Sequence, residues 1–234
     1  MKVVEREREA LIIFKHALNY SSDFYTNLSS WEKERDCCVW DGISCHNTTH
    51  HVVSVEIYGG LEIQGGVISE SLCTLTFVAT IRLTSTGLTG TIPLCLGKLS
   101  SLTELDLTFN RLRGNITLPS SLTVLYLRDN VLEGETVLST ICMLSNLRKV
   151  DLTGNQLNGN LPSCLGRLSS LIELDLSGNG LSGNIPLSFG NLSSSLAILG
   201  LADNVLEGEN VLTTICMLSN LNEIPWGIFL CWNS

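Results

Sequence analysis

Asparagine returns along this chain at a near-fixed stride, at Asn110, Asn130, Asn155, Asn179 and Asn204. Each stands inside Leu-x-x-Leu-x-Leu-x-x-Asn-x-Leu, as in LTELDLTFNRL, LTVLYLRDNVL and LIELDLSGNGL, with one exchange to valine at Val150. Units begin at Leu102, Leu122, Leu147, Leu171 and Leu196, so the period is in the low to middle twenties. A coil of that length holds one short strand and a return segment, and it cannot bury its leucines alone. Stacked coils bury them together, and the array grows without closing on a single core.

Period-two geometry sets the direction of each side chain. Leu105 and Leu107 point inward, Asp106 between them points out, and Leu112 enters from the far side. The asparagine follows where the chain leaves the strand. There its amide is placed to bond the backbone of its own turn and of the neighbouring coil, so Asn110, Asn130, Asn155, Asn179 and Asn204 form a structural ladder of satisfied buried groups. The chain is therefore read as an α/β repeat solenoid of the leucine-rich-repeat class: a right-handed horseshoe or superhelix with short parallel strands on its concave face and a helical cap at its N-terminus.

The domain reading follows. Residues 1–51 form the cap, with an amphipathic helix over 5–18 (Ala10, Leu11, Phe14 and Leu18 inward; Glu5, Glu7 and Glu9 at the favourable N-terminal end) and a cysteine cluster over 37–45. Residues 52–221 hold about seven repeats, the first two degenerate, with Thr86 at one asparagine position. Residues 222–234 lose the pattern at Pro225 and read as an aberrant tail. A longer repeat also appears: NVLEGETVLSTICMLSNL at 130–147 returns as NVLEGENVLTTICMLSNL at 204–221.

Several function classes are excluded by charge and pattern. The formal net charge is −9 and no Lys/Arg cluster occurs, so nucleic acid is not a partner. No stretch reaches about 18 uninterrupted apolar residues, so nothing here spans a bilayer. MKVVEREREA has no apolar leader core, which leaves a cytosolic chain or one without its export signal. No Gly-x-Ser-x-Gly elbow, P-loop or HExxH motif is present. Repeated carboxylates on an open face stay hydrated, unlike the paired acids of a glycosidase cleft, so the chain is not read as an enzyme and needs no cofactor.

The outward strand positions are the candidate binding surface: Glu56, Tyr58, Arg82, Thr84, Glu104, Asp106, Thr108, Tyr126, Arg128, Lys149, Asp151, Thr153, Glu173, Asp175 and Ser177. Asp106, Asp151 and Asp175 share one repeat position and make an acidic stripe. Tyr126 and Arg128 are the first choice for contact, because Tyr and Arg are enriched at interface hot spots. Cys37, Cys38 and Cys45 with His46, His50 and His51 match no paired zinc-ligand spacing, so no metal is expected. Trp31 and Trp40 are expected to pack the cap over the first repeat. The six cysteines within the repeats are read as small buried filler; disulfides between equivalent positions three coils apart are excluded by distance.

Two motifs carry a resemblance. LIELDLSGNGLSGNIPLSFGNLSS at 171–194 is similar, nearly position by position, to the plant-specific leucine-rich repeat. EREREALIIFK, LSSW at 28–31, DCCVWDGISC at 36–45 and HVVSVEI at 51–57 resemble, in order, the N-terminal cap of plant receptor-like proteins. The resemblance covers roughly residues 5–221. It implies a glycosylated ectodomain on the outer face of a plant plasma membrane or in the apoplast, binding a peptide, protein or glycan ligand, with a co-receptor, in defence or development. Polygalacturonase inhibitors share this cap and repeat class and give the alternative, a secreted inhibitor of a microbial enzyme; a non-functional truncated duplicate is the third reading. In the family a cysteine before the ERE motif bonds the first of the CC pair. Val3 and Val4 stand there instead, so the resemblance leaves Cys37 without a partner while Cys38–Cys45 closes. The sequons at Asn19, Asn27, Asn47, Asn115 and Asn191 are the expected glycan acceptors of an exported chain. The family's leader, C-terminal cap, membrane helix and kinase are not found here, which implies a shortened member.

Overall fold

The computed structural model describes residues 2–18, 27–59, 65–207 and 210–222. The chain divides into two compact units, Met1–Leu122 and Thr123–Ser234.

Unit 1 opens with α1 (Lys2–Ala17). The helix starts three residues before the expected position, and Leu18 has left it to make an isolated antiparallel bridge with Gly66. Ala10, Leu11, Phe14 and Leu18 are buried, as their spacing requires. The helix is tied to the repeats by hydrogen bonds: Ser71 Oγ donates to the Ala10 carbonyl at 2.8 Å. Trp31 and Trp40 are both buried and stack on each other, ring centroids 5.3 Å apart, and Trp31 Nε1 donates to the Asp41 carbonyl.

Strand β1 (Ile43–Cys45) pairs antiparallel with β2 (Val52–Tyr58). Then β3 (Gly66–Val67), β4 (Thr80–Thr84), β5 (Leu88–Gly90), β6 (Glu104–Asp106) and β7 (Arg111–Leu112) follow. Two parallel ladders result, β2-β4-β6 and β3-β5-β7. Val55, Ile81 and Leu105 lie in register and are fully shielded, a single column of inward aliphatic side chains.

Unit 2 repeats the plan with β8 (Val124–Tyr126), α2 (Thr136–Ile141), β9 (Lys149–Asp151), β10 (Asn158–Asn160), β11 (Glu173–Asp175), β12 (Gly180–Gly183), β13 (Ile198–Gly200), β14 (Val205–Leu206) and α3 (Asn210–Cys216). Its ladders are β8-β9-β11-β13 and β10-β12-β14, all parallel. Leu125, Val150, Leu174 and Leu199 form the corresponding column.

The asparagines act as the period implies. In unit 1, Asn110 Nδ2 donates to the Leu83 carbonyl of the preceding coil (2.7 Å) and to its own Leu107 (2.9 Å), while its Oδ1 accepts the Leu88 amide. Thr86, at the degenerate position, keeps its hydroxyl within 3.1 Å of Leu83 O and Asn110 Oδ1. In unit 2, Asn155, Asn179 and Asn204 each donate to a carbonyl one coil back and one in their own coil. Buried amide groups that would otherwise cost about 1–3 kcal/mol each are thereby satisfied. The residue just before each ladder position has a left-handed backbone: Ser85, Phe109, Asp129, Gly154, Gly178 and Asp203, with φ between 51° and 67°.

The reading of the repeat cysteines as unbonded filler is corrected. Cys73 is joined to Cys95 and Cys142 to Cys164, with Cα separations of 5.9 and 5.5 Å, and Cys216 is also disulfide-bonded. The distance argument compared equivalent positions three coils apart. The bonds instead join non-equivalent positions on adjacent coils, 22 residues apart in sequence.

Candidate ligand-binding face

On the face of unit 1, Glu56 and Arg82 lie in register on β2 and β4, while Glu104 on β6 stands opposite Thr80, so the Arg82 side chain reaches it diagonally. Arg82 bridges both acids, Nη1 to Glu56 at 3.1 Å and Nη2 to Glu104 at 2.8 Å. The hydrogen bond to Glu104, and then the charge of both acids, raise the Arg82 pKa further despite burial. Glu56 also accepts the Ser54 and Tyr58 hydroxyls at 2.9 Å. Burial opposes ionisation of Glu56, but the bonds from Tyr58, Ser54 and Arg82 outweigh it and hold the carboxyl below its ordinary range. The Tyr58 hydroxyl is correspondingly harder to ionise, first through burial and then through its bond to Glu56.

On the face of unit 2, Lys149 and Glu173 pair at 3.4 Å between β9 and β11. Arg128 is exposed and touches Asp129 at 3.1 Å; Tyr126 is half-buried on β8. The row that runs through Asp151 and Asp175 ends at Gly200. A Cβ at Gly200 would meet the Asp175 carboxylate, which holds the Ser177 amide.

The acidic stripe has a backbone duty. Asp106 Oδ1 accepts the Thr108 amide, Asp151 that of Thr153 and Asp175 that of Ser177, at 2.9–3.0 Å. Each aspartate therefore holds the turn that leads into its ladder position. The remaining expected face residues, Thr84, Thr108, Thr153 and Ser177, are half-buried at the strand ends.

The cap shows what the histidines and cysteines do. Cys38 and Cys45 are disulfide-bonded, and Cys37 is a free, buried thiol. His51 Nδ1 lies 2.9 Å from Glu7 Oε1 and its ring stacks on Phe77. Glu7, read from sequence as one of three helix-start acids, is instead buried and also accepts the Val52 amide at 3.0 Å. It locks α1 to β2. Three glutamates at alternate positions look alike in sequence; only the side that α1 turns to β2 separates them. Of the sequons, Asn47, Asn115 and Asn191 are exposed, Asn27 begins a short 3-10 turn, and Asn19 lies outside the described residues.

Stacked parallel strands, an internal aliphatic column and a cross-coil asparagine ladder define a leucine-rich-repeat protein. Residues 4–46 match the leucine rich repeat N-terminal domain, and 98–115, 146–168 and 170–192 match leucine rich repeats. The chain is 32% identical over 123 residues to receptor-like protein EIX2 of Solanum lycopersicum, covering 48% of this chain and 12% of that protein. Its fold is similar to the ectodomain of the Arabidopsis receptor kinase HAESA, solved with a peptide hormone ligand (TM-score 0.79, 28% identity, 94% of this chain and 37% of that one). It is also similar to Pollen Receptor Kinase 3 (TM-score 0.70, 30% identity, 86% of this chain and 96% of that one). The chain belongs to the plant leucine-rich-repeat family of receptor-like proteins and receptor ectodomains. Among the described residues no helix is long and apolar enough to cross a membrane.

Proposed function

We propose that this chain is the ligand-recognising segment of a plant cell-surface receptor-like protein, with residues 1–51 as its cap and 52–221 as its repeats, acting in defence or developmental signalling and carrying out no catalysis. The outward face of the unit 2 strands takes a peptide or protein ligand there. One observation supports this reading above the others: on that face Tyr126, Lys149 and Glu173 stand on the parallel strands β8, β9 and β11, Arg128 follows two residues after β8, and among the described residues one ion pair, Lys149 with Glu173, joins neighbouring strands. Rigid Tyr and Arg anchors lose little entropy on binding and carry much of the affinity of interfaces. Disulfides at Cys38–Cys45, Cys73–Cys95 and Cys142–Cys164 agree with an oxidising, extracellular setting, where exposed Asn47, Asn115 and Asn191 receive glycans.

The test is selection of a random displayed peptide library on the secreted full chain, followed by calorimetry. Tyr126→Ala and Arg128→Ala are each expected to weaken the selected peptides at least about tenfold. Peptides that bind the double variant as tightly as the parent would move the site elsewhere. Inhibition of a fungal polygalacturonase with no peptide enriched would replace this reading with that of a secreted inhibitor.

A further inference from the structure

The cap holds a nucleophile that ligand recognition does not use. Cys37 carries the one free thiol among the described residues and is fully buried. Its sulfur and those of Cys38 and Cys45 all lie within 4.8 Å of one another. A thiol packed against a disulfide is a potential attacking group, and the outcome depends on which sulfur it reaches. Attack on Cys38 would join adjacent residues in a ring that strains their shared peptide. Attack on Cys45 replaces a bond spanning seven residues with one spanning eight and leaves the loop nearly unchanged. Cys38, unlike Cys37, is partly exposed. Its sulfur lies 3.6 Å from the His50 carbonyl, and His50 helps line a cavity of about 540 Å³ with Val4, Glu5, Arg8, Asp36 and Thr49.

We propose that the cap has two disulfide isomers, interconverted by attack of Cys37 on Cys45, which forms Cys37–Cys45 and releases Cys38 as a surface thiol beside this cavity. The step balances internally. The Cys37 thiolate supplies the electron pair of the new bond, the Cys38–Cys45 bond breaks, and its pair leaves on Cys38, which takes up a proton. No external oxidant or reductant is consumed.

The surroundings decide the rate. Burial pushes the Cys37 thiol up to about 11, Asp36 and Glu7 push in the same direction, and Arg8 opposes them. His51 Nδ1 lies 2.9 Å from Glu7 Oε1. The thiolate is therefore scarce at neutral pH, and exchange should accelerate about tenfold per pH unit until the thiol titrates. In mildly acidic surroundings the cap is kinetically held as Cys38–Cys45; alkalinisation releases it.

The experiment is alkylation of the folded full chain with iodoacetamide at pH 6 and pH 9, followed by denaturation, digestion and mass mapping. The expected product carries the label on Cys38 with Cys37 bonded to Cys45, and it forms about a thousandfold faster at pH 9 than at pH 6. Cys37→Ser should abolish labelling of Cys38. Cys38→Ser should fold with a Cys37–Cys45 bond and no alkylatable thiol at either position. Label confined to Cys37 with Cys38–Cys45 intact, or no label on Cys38 at pH 9, overturns the proposal. If Cys38→Ser does not fold, the mapping on the unaltered chain still decides.

Discussion

The strand faces of the two units have the same backbone and different chemistry. In unit 1, Arg82 is held between Glu56 and Glu104, and Ser54 and Tyr58 donate to the same Glu56, so charge is neutralised from one strand to the next. In unit 2 a single pair among the described residues, Lys149 with Glu173, crosses between strands, Asp151 and Asp175 serve their own turns, and the row reaches the bare backbone of Gly200. The inward positions have no such freedom, since every coil needs an aliphatic residue there. The outward positions are not constrained by the core and diverge. A ligand on unit 1 would have to displace ion pairs that are already made, at a desolvation cost. A ligand on unit 2 meets less competition. On the function proposed above, the unit 1 face braces the sheet and the unit 2 face takes the ligand.

This contrast gives a simple rule: changes to the shared skeleton should affect both units alike, and changes to the faces should not. The largest effects are expected from the coil-to-coil disulfides. Replacing both cysteines of Cys73–Cys95, or both of Cys142–Cys164, by serine should cost about 3 kcal/mol in either case by urea unfolding under oxidising conditions. A large loss in one unit and none in the other would break the equivalence. Next are the ladder residues. Asn110→Ala and Asn155→Ala each strand two carbonyls and an amide, for about 2–3 kcal/mol by thermal or urea unfolding. On the faces the symmetry should fail. Arg82→Met leaves two half-buried acids without their shared cation and should cost about 1 kcal/mol or more, whereas Lys149→Met removes one partly exposed pair and should fall within about 0.5 kcal/mol. The smallest effect is a pH dependence. The Glu56 carboxyl is held below its ordinary range, so its stabilisation is present above the unfolded value near about 4.3 and is lost as pH falls through the lower folded value. Glu56→Gln should therefore flatten the acid limb of the stability curve, and identical acid limbs would mean that the unit 1 network adds nothing.

What the sequence reveals follows the same division. The inward leucines, the strand register and the asparagine ladder are legible because the core imposes them with a period. The bridging role of Arg82 depends on the stacking of coils, which brings Glu56 and Glu104 within reach of its side chain although 22–26 residues separate them. The disulfides were missed for the same reason: they relate different positions on successive coils, and a scan for equivalent positions passes over them. The left-handed backbone before each ladder residue is signposted by Gly154 and Gly178 but hidden at Phe109, an aromatic residue with φ of 57° that side-chain preference would exclude. Phe109→Gly should accordingly stabilise unit 1 by about 1 kcal/mol, read from the urea midpoint. Glu7 was not distinguishable from Glu5 and Glu9 by charge pattern.

In unit 2 four glycines sit under particular side chains of the coil before. A Cβ at Gly154 would strike the Asp129 carboxylate, one at Gly159 the Glu135 carboxylate, one at Gly183 the Asn160 amide, and one at Gly200 the Asp175 carboxylate. A coil is therefore fitted to its predecessor, and one transplanted singly would bring a side chain down where no gap awaits it. Exchange of several adjoining coils at once would keep these fits inside the exchanged piece. The 130–147 segment and its near copy at 204–221 stand three coils apart, the spacing that an exchange on that scale would leave.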